Sequence, residues 1–136
     1  MTNCIPRRKE LEELFSLLES EDSSVKSQFK NSQDQNTKNT QKIVALEKLI
    51  KATQANIKDV IKKMPGLTGE PLGYVQRELW GFEEELKRQQ QERDYLTALN
   101  TKVDESVNAY KKRLQELEDE LKKYTIELQD PKICGQ

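Results

Sequence analysis

The sequence predicts an all-α fold: two long heptad-repeat helices joined by a Pro/Gly loop, as an antiparallel hairpin or a segmented coiled coil. Two observations predict it. Apolar residues recur in two long ladders whose steps alternate between four and three residues, and helix-breaking residues concentrate in the segment between them. The composition, 34% hydrophobic and 35% charged, is close to that of a disordered chain. Disordered chains, however, do not keep apolar residues on one helical stripe, so the ladders favour helices.

The first helix is predicted over residues 6–64, after an N-terminal tail of residues 1–5. Its ladder runs from Leu11 to Met64, and eleven of its sixteen positions are apolar. Its weakest stretch is residues 20–41, where three successive ladder positions are polar (Ser32, Asn36 and Asn39). The first helix could be interrupted or frayed in this stretch.

Residues 65–73 are predicted to form the loop, because they hold three of the five glycines and two of the four prolines. Pro65 should end the first helix, since a proline disfavours helical backbone in the residue before it and lacks a backbone donor. The second helix is predicted over residues 74–128, followed by a C-terminal tail of residues 129–136. Its ladder runs from Val75 to Leu128, with thirteen of sixteen positions apolar or aromatic.

A hairpin that turns at Gly69 would pair residues whose numbers sum to about 139, and each ladder position would then face a ladder position. Asn39 would lie opposite Asn100. A buried Asn pair can determine register and orientation at some cost in stability, so these two residues are the candidate register pair.

The ladders are also the candidate partner-binding seam, because a narrow apolar stripe held over seven heptads is buried only against other helices. The residues assigned to this seam are Ile43, Leu46, Ile50, Ile57, Val60, Val75, Leu79, Phe82, Leu86, Leu96, Val103, Val107, Tyr110, Leu114, Leu117, Leu121, Tyr124 and Leu128. The C-terminal part of this seam, Leu114, Leu117, Leu121, Tyr124 and Leu128, is expected to bind a partner chain more strongly than it binds the first helix.

Trp80 is the lone tryptophan and lies one position beyond the seam. It could pack against the hairpin turn, or it could be an anchor for a partner helix, since buried aromatics dominate interface energies. The sequence favours neither reading.

Enzymatic chemistry is not expected. The chain has no histidine, and its Gly-rich segment lacks the strand and the Lys-Ser/Thr of a phosphate-binding loop. No metal or cofactor site is indicated, and Cys4 and Cys134 are expected to be free thiols. A net charge of −1 gives no reason to expect nucleic acid as a partner, and no apolar run is long enough for membrane insertion.

The segment Pro65-Gly66-Leu67, with Tyr74 and then Phe82-Glu83-x-x-Leu86, resembles the kink and second coiled-coil segment of the nucleoporin 58/45 family. The resemblance implies a subunit of the central-channel nucleoporin trimer at the nuclear pore. The chain departs from that family in having no Phe-Gly repeat. It would then be a scaffold portion that does not bind transport receptors through such repeats.

The expected function is therefore that of a structural scaffold subunit, not an enzyme. It would assemble by coiled coil with other chains as a hetero-oligomer, most specifically as a nucleoporin of the nuclear pore complex that supports nucleocytoplasmic transport at the nuclear envelope. The alternative is another coiled-coil adaptor, such as a ciliary-transport, kinetochore or vesicle-tethering subunit, located in the cytoplasm.

Overall fold

A computed structural model of the chain describes residues 7–131. Helix α1 spans Arg8–Lys63 and helix α2 spans Gly69–Gln129, with no strand among the described residues. The two helices are joined by a short loop, which confirms the predicted all-α fold and makes the chain a helical hairpin. The predicted tail residues Cys4 and Cys134 lie outside the described residues.

The loop is built around a tight turn that the sequence specifies locally. The backbone N–H of Leu67 donates to the carbonyl of Met64 at 3.1 Å, and Gly66 has a φ of +86°. Pro65 precedes Gly66, and this order of proline then glycine with positive φ is that of a type II turn. A side chain at position 66 would be strained at this φ, so glycine is required there.

Helix α2 begins earlier than predicted. Residues 69–73 were expected in the loop, but α2 begins at Gly69 and includes Pro71 and Gly73. Proline is tolerated in the first helical turn, because its missing N–H would have no partner inside the helix. The glycine-rich composition of this segment therefore did not exclude helix.

The polar stretch of α1 is also helical, since α1 is continuous from Arg8 to Lys63. Side chains four residues apart support it: Lys26 pairs with Asp22 at 2.8 Å, and the Gln35 amide donates to Asn39 at 2.8 Å. Such pairs between side chains four residues apart add modestly to the stability of a helix. The expected interruption is not observed.

The chain divides into two compact units. The terminal unit, described over residues 7–34 and 103–131, combines the start of α1 with the end of α2. The turn unit, residues 35–102, combines the end of α1, the loop and the start of α2. No ladder position of either helix is exposed, so both seams are used for packing within the chain.

In the terminal unit, Leu11 and Leu117 are fully buried and Val25 is 8% exposed. A bidentate ion pair joins the helices beside this core. Nε and Nη2 of Arg113 donate to the two carboxylate oxygens of Glu21 at 2.8 and 2.9 Å. The hydrogen bond to Glu21 is the main cause of a raised pKa at Arg113. Because both residues are partly exposed, the pair contributes modestly to stability and more to alignment.

In the turn unit, the core consists of Leu46, Ile50, Val60 and Leu96, together with a buried polar layer. The hydroxyl of Thr53 on α1 donates to the side-chain oxygen of Gln89 on α2 at 2.9 Å. Thr53 is 6% exposed and Gln89 is 4% exposed. This hydrogen bond joins the two helices at one position along their axes.

The predicted register pair is not hydrogen-bonded. Asn39 is 1% exposed and Asn100 is half-buried, but the Asn39 oxygen accepts from Gln35. The amide nitrogen of Asn39 and the side-chain oxygen of Asn100 are buried without a hydrogen-bond partner among the described residues. A register role for Asn39 and Asn100 stays a prediction, whereas the Thr53–Gln89 contact is observed.

Glu85 extends the Thr53–Gln89 hydrogen bond into a network that reaches the surface. The Gln89 amide donates to Glu85 at 3.1 Å, and the Arg88 guanidinium donates to the same carboxylate. The hydrogen bond from Arg88 is the largest cause of a lowered pKa at Glu85, and the hydrogen bond from Gln89 adds to it. A carboxylate whose pKa is lowered in the folded chain stabilises the fold above its unfolded pKa, and that contribution is lost as the pH falls through the folded value.

We therefore expect Glu85→Gln to lower the unfolding midpoint at neutral pH, and this difference from wild type to disappear as the pH falls below the ordinary Glu value of 4.5. The measurement is thermal unfolding by circular dichroism from about pH 6 to about pH 3. Glu84→Gln, at an exposed neighbouring position outside the network, is the matched control and should follow wild type. A constant gap between Glu85→Gln and wild type across this range would contradict the expectation.

Candidate partner-binding surface

The C-terminal part of the seam lies on α2 in the terminal unit, where it packs against the first turns of α1. Leu117 is fully buried there, whereas Leu114, Leu121, Tyr124 and Leu128 are only half-buried. The opposing stretch of α1 has a carboxylate, Asp22, at a seam position. The Asp22 side chain is bound to Lys26 at 2.8 Å instead of filling apolar space.

A groove of about 750 Å³ opens at this place. Its apolar lining comes from Phe29 of α1 and from Leu114, Leu121 and Ile126 of α2. Ile126 is not a seam residue and is 69% exposed. Leu114 and Leu121 are two helical turns apart on one face of α2, the spacing at which a second helix places its own apolar residues.

The groove is bordered by charged side chains from both helices. Asp22 and Lys26 lie on the α1 border, and Lys111, Glu118 and Lys122 lie on the α2 border. Lys122 pairs with Glu118 at 3.6 Å, so most of these charges are already neutralised. The hydrogen bond that Lys26 donates to Asp22 is the main cause of a raised pKa at Lys26, with a smaller contribution from Glu118. The border is thus polar with its charges mostly paired, around an apolar floor, as in helix-binding grooves.

Val103, Val107 and Tyr110 are half-buried in the terminal unit. The remaining predicted seam residues belong to the turn unit, where they lie between α1 and α2. Leu46, Ile50, Val60 and Leu96 are buried there. The others from this unit are half-buried. The structure therefore brings these residues together within the chain, and a partner would reach them only from the side.

Trp80 is exposed rather than packed against the turn: 65% of its surface is accessible. Tyr74, 63% exposed, stacks under Arg77 with the guanidinium carbon 5.2 Å from the ring centre. Burial of Trp80 in the hairpin is thus not observed, and its surface is available to another chain.

Two features were missed from the sequence. Ile126 sits on the outer face of α2, where a single apolar residue looks unremarkable until the neighbouring groove is seen. Thr53 and Gln89 were each visible as a polar residue at a seam position. The predicted register would place Thr53 opposite Leu86, so this register did not bring Thr53 and Gln89 together.

No group of His, Cys, Asp or Glu suitable for holding a metal ion occurs among residues 7–131. Within the same residues, neither helix has a stretch that is long and apolar enough to cross a membrane. Comparison with protein-family models, with curated proteins and with solved structures finds no match to this chain.

Proposed function

We propose that the chain is a structural scaffold subunit that assembles with partner chains by coiled-coil packing. The observation that carries this proposal is the apolar groove lined by Leu114, Leu121 and the exposed Ile126 of α2. An amphipathic helix from another chain would fill the groove with apolar side chains two turns apart. Each fully buried leucine would contribute roughly 1.5–3 kcal/mol to binding.

The most specific form of the proposal is a central-channel nucleoporin that acts at the nuclear pore in nucleocytoplasmic transport. Its support is the resemblance carried by Pro65-Gly66-Leu67 and Phe82-Glu83-x-x-Leu86. The alternative proposal is another coiled-coil adaptor, for ciliary transport, the kinetochore or vesicle tethering, which would use the same groove in the same way. In both forms the chain is not an enzyme, and its partners are long-helix proteins.

The test replaces an apolar residue of the groove with lysine without touching the seam. Ile126→Lys places a charge on the apolar lining, and Leu17→Lys is the matched control in the same unit, because Leu17 is 68% exposed and does not line the groove. We expect Ile126→Lys to weaken binding of the partner helix by about 10- to 100-fold, the equivalent of losing one buried side chain. Leu17→Lys should bind like wild type.

The measurement is quantitative affinity purification of the three chains from native extract, with mass spectrometry of the bound proteins. The nucleoporin form predicts that the lost proteins are other pore subunits and that tagged wild type marks the nuclear rim while Ile126→Lys is diffuse. Loss of cytoplasmic coiled-coil proteins instead would favour the adaptor alternative. Identical bound proteins for all three chains would refute use of the groove.

A further inference from the structure

One side of the turn unit exposes three large apolar side chains. Val44 is 46%, Ile61 is 49% and Trp80 is 65% exposed. Each immediately follows a seam residue in the sequence, and in an antiparallel helix pair the residues that follow seam positions on both helices share one side. The residues that precede seam positions share the other side, as the Glu21–Arg113 pair of the terminal unit illustrates. Val44, Ile61, Trp80 and the charged residues around them are called the turn-unit flank.

On the turn-unit flank, α1 carries a net positive charge and α2 carries a net negative charge. On α1, the exposed charged side chains of the flank are Lys48, Lys51, Lys58 and Lys62 against Glu47. Asp59 is also exposed, but it immediately precedes the seam residue Val60 and therefore lies on the other side. This half of the flank has a charge of 4 − 1 = +3.

On α2, the corresponding exposed side chains around Trp80 are Glu70, Glu83, Glu84 and Asp94 against Arg77 and Lys87. This half has a charge of 2 − 4 = −2. A basic strip therefore runs beside an acidic strip on one side of the same unit, with apolar residues in both.

We propose that the turn-unit flank is a self-association surface whose occupant is the same flank of a second copy of this chain. A twofold axis parallel to the helices would place α1 of each copy on α2 of the other. The basic strip of one copy then meets the acidic strip of its mate twice. An isologous interface requires such self-complementarity, and a flank of one charge sign would not provide it.

The positions of the side chains along the helix axes agree with this arrangement. Counted from the Thr53–Gln89 hydrogen bond, Ile61 lies eight residues towards the loop and Trp80 lies nine. In the pair of hairpins, Trp80 of one copy would therefore rest on Ile61 of the other. Lys58 and Glu83, five and six residues towards the loop, would form an ion pair between copies in the same way.

The area of the flank is that of a small stable interface. The named residues of the flank span 19 residues on α1 (Val44–Lys62) and 25 residues on α2 (Glu70–Asp94). At 1.5 Å per residue, across two helices about 9 Å apart, they present roughly 500–700 Å². A standard protein interface buries about 800 Å² on each partner. The turn-unit flank lies in a different unit from the groove and shares no residue with it, so the two surfaces can be tested separately.

The experiment measures the dimer dissociation constant of the full chain by sedimentation velocity. Trp80→Ala should raise it at least about 10-fold, since a central tryptophan is a frequent hot spot. The matched control is Tyr95→Ala: Tyr95 is an equally exposed aromatic, at 67%, in the same unit but off the flank. It should change the constant by less than about twofold, within the range of a non-contacting surface residue.

Charge reversal tests the pairing itself. Lys58→Glu or Glu83→Lys alone should weaken the dimer by about 5- to 10-fold in low salt, and the double variant should return to within about twofold of wild type. Ile126→Lys should leave the dimer intact, which separates this result from failure of the groove. A wild-type chain that stays monomeric at high concentration overturns the proposal. So does equal weakening by Trp80→Ala and Tyr95→Ala, or no recovery in the double charge variant.

Discussion

Replacing Leu117 with alanine should lower the free energy of unfolding by about 3 kcal/mol, the largest single effect expected from a seam substitution. Leu117 is fully buried in the terminal unit, opposite the stretch of α1 that contains Asp22. Removing its side chain loses transfer free energy and leaves a cavity that the rigid helix backbones close only in part. The loss falls on the unit that has few other fully buried side chains, Leu11 being the main one.

The measurement is denaturant unfolding followed by far-UV circular dichroism, with Leu17→Ala as the control. Leu17 is the same residue type on the same unit but is 68% exposed, so its replacement should change the free energy by no more than about 0.5 kcal/mol. Equal effects of the two substitutions would mean that Leu117 is not packed against α1 in solution. The C-terminal seam would then be free for a partner along its whole length.

The second large effect is expected at the buried Thr53–Gln89 hydrogen bond, where a single substitution should lower stability and a double substitution should not. Thr53→Val should destabilise the turn unit by about 1–3 kcal/mol, because the buried Gln89 oxygen loses the hydroxyl that donates to it at 2.9 Å. Thr53→Val combined with Gln89→Leu should be as stable as wild type or more stable. Replacing both buried polar partners with apolar side chains removes the desolvation cost together with the hydrogen bond.

A double-mutant cycle measures this coupling, with unfolding followed for wild type, both single variants and the double variant. The double variant should lose specificity of register rather than stability, because a seam without this polar pair favours one register of the two helices less strongly. Engineered cysteines at facing seam positions should then form more than one crosslinked product. Additive losses, with the double variant the least stable, would contradict the expectation.

Much of the fold was predictable because its determinants are local. The alternation of four- and three-residue steps identified positions that are all buried or half-buried in the structure. Pro65 and Gly66 specified the turn, since one supplies a fixed φ and the other supplies a positive φ. The prediction was wrong at Gly69–Gly73, where the first turn of α2 accommodates residues that usually interrupt helices.

The candidate site was less predictable, for a different reason. A groove depends on the volumes of side chains that two helices place side by side. The register between the helices depends on pairs of residues, so no single position in the sequence determines it. The predicted register pair, Asn39 and Asn100, is not joined by a hydrogen bond, while Thr53 and Gln89 are. The exposure of Trp80 was likewise open, because a residue beside the seam can turn inward or outward with equal local geometry.

The sequence by itself determined the helical class, the two-helix organisation and the inner face of each helix, because helical periodicity is a property of neighbouring residues along one chain. Only the tertiary structure decided which seam residues are fully buried and where Asp22 lines a groove beside Leu114 and Leu121. It also decided which residues of the turn-unit flank are exposed to solvent. Those outcomes depend on how closely two side-chain surfaces fit at each level. That fit involves residues more than ninety positions apart, such as Glu21 and Arg113, which periodicity along one helix does not relate.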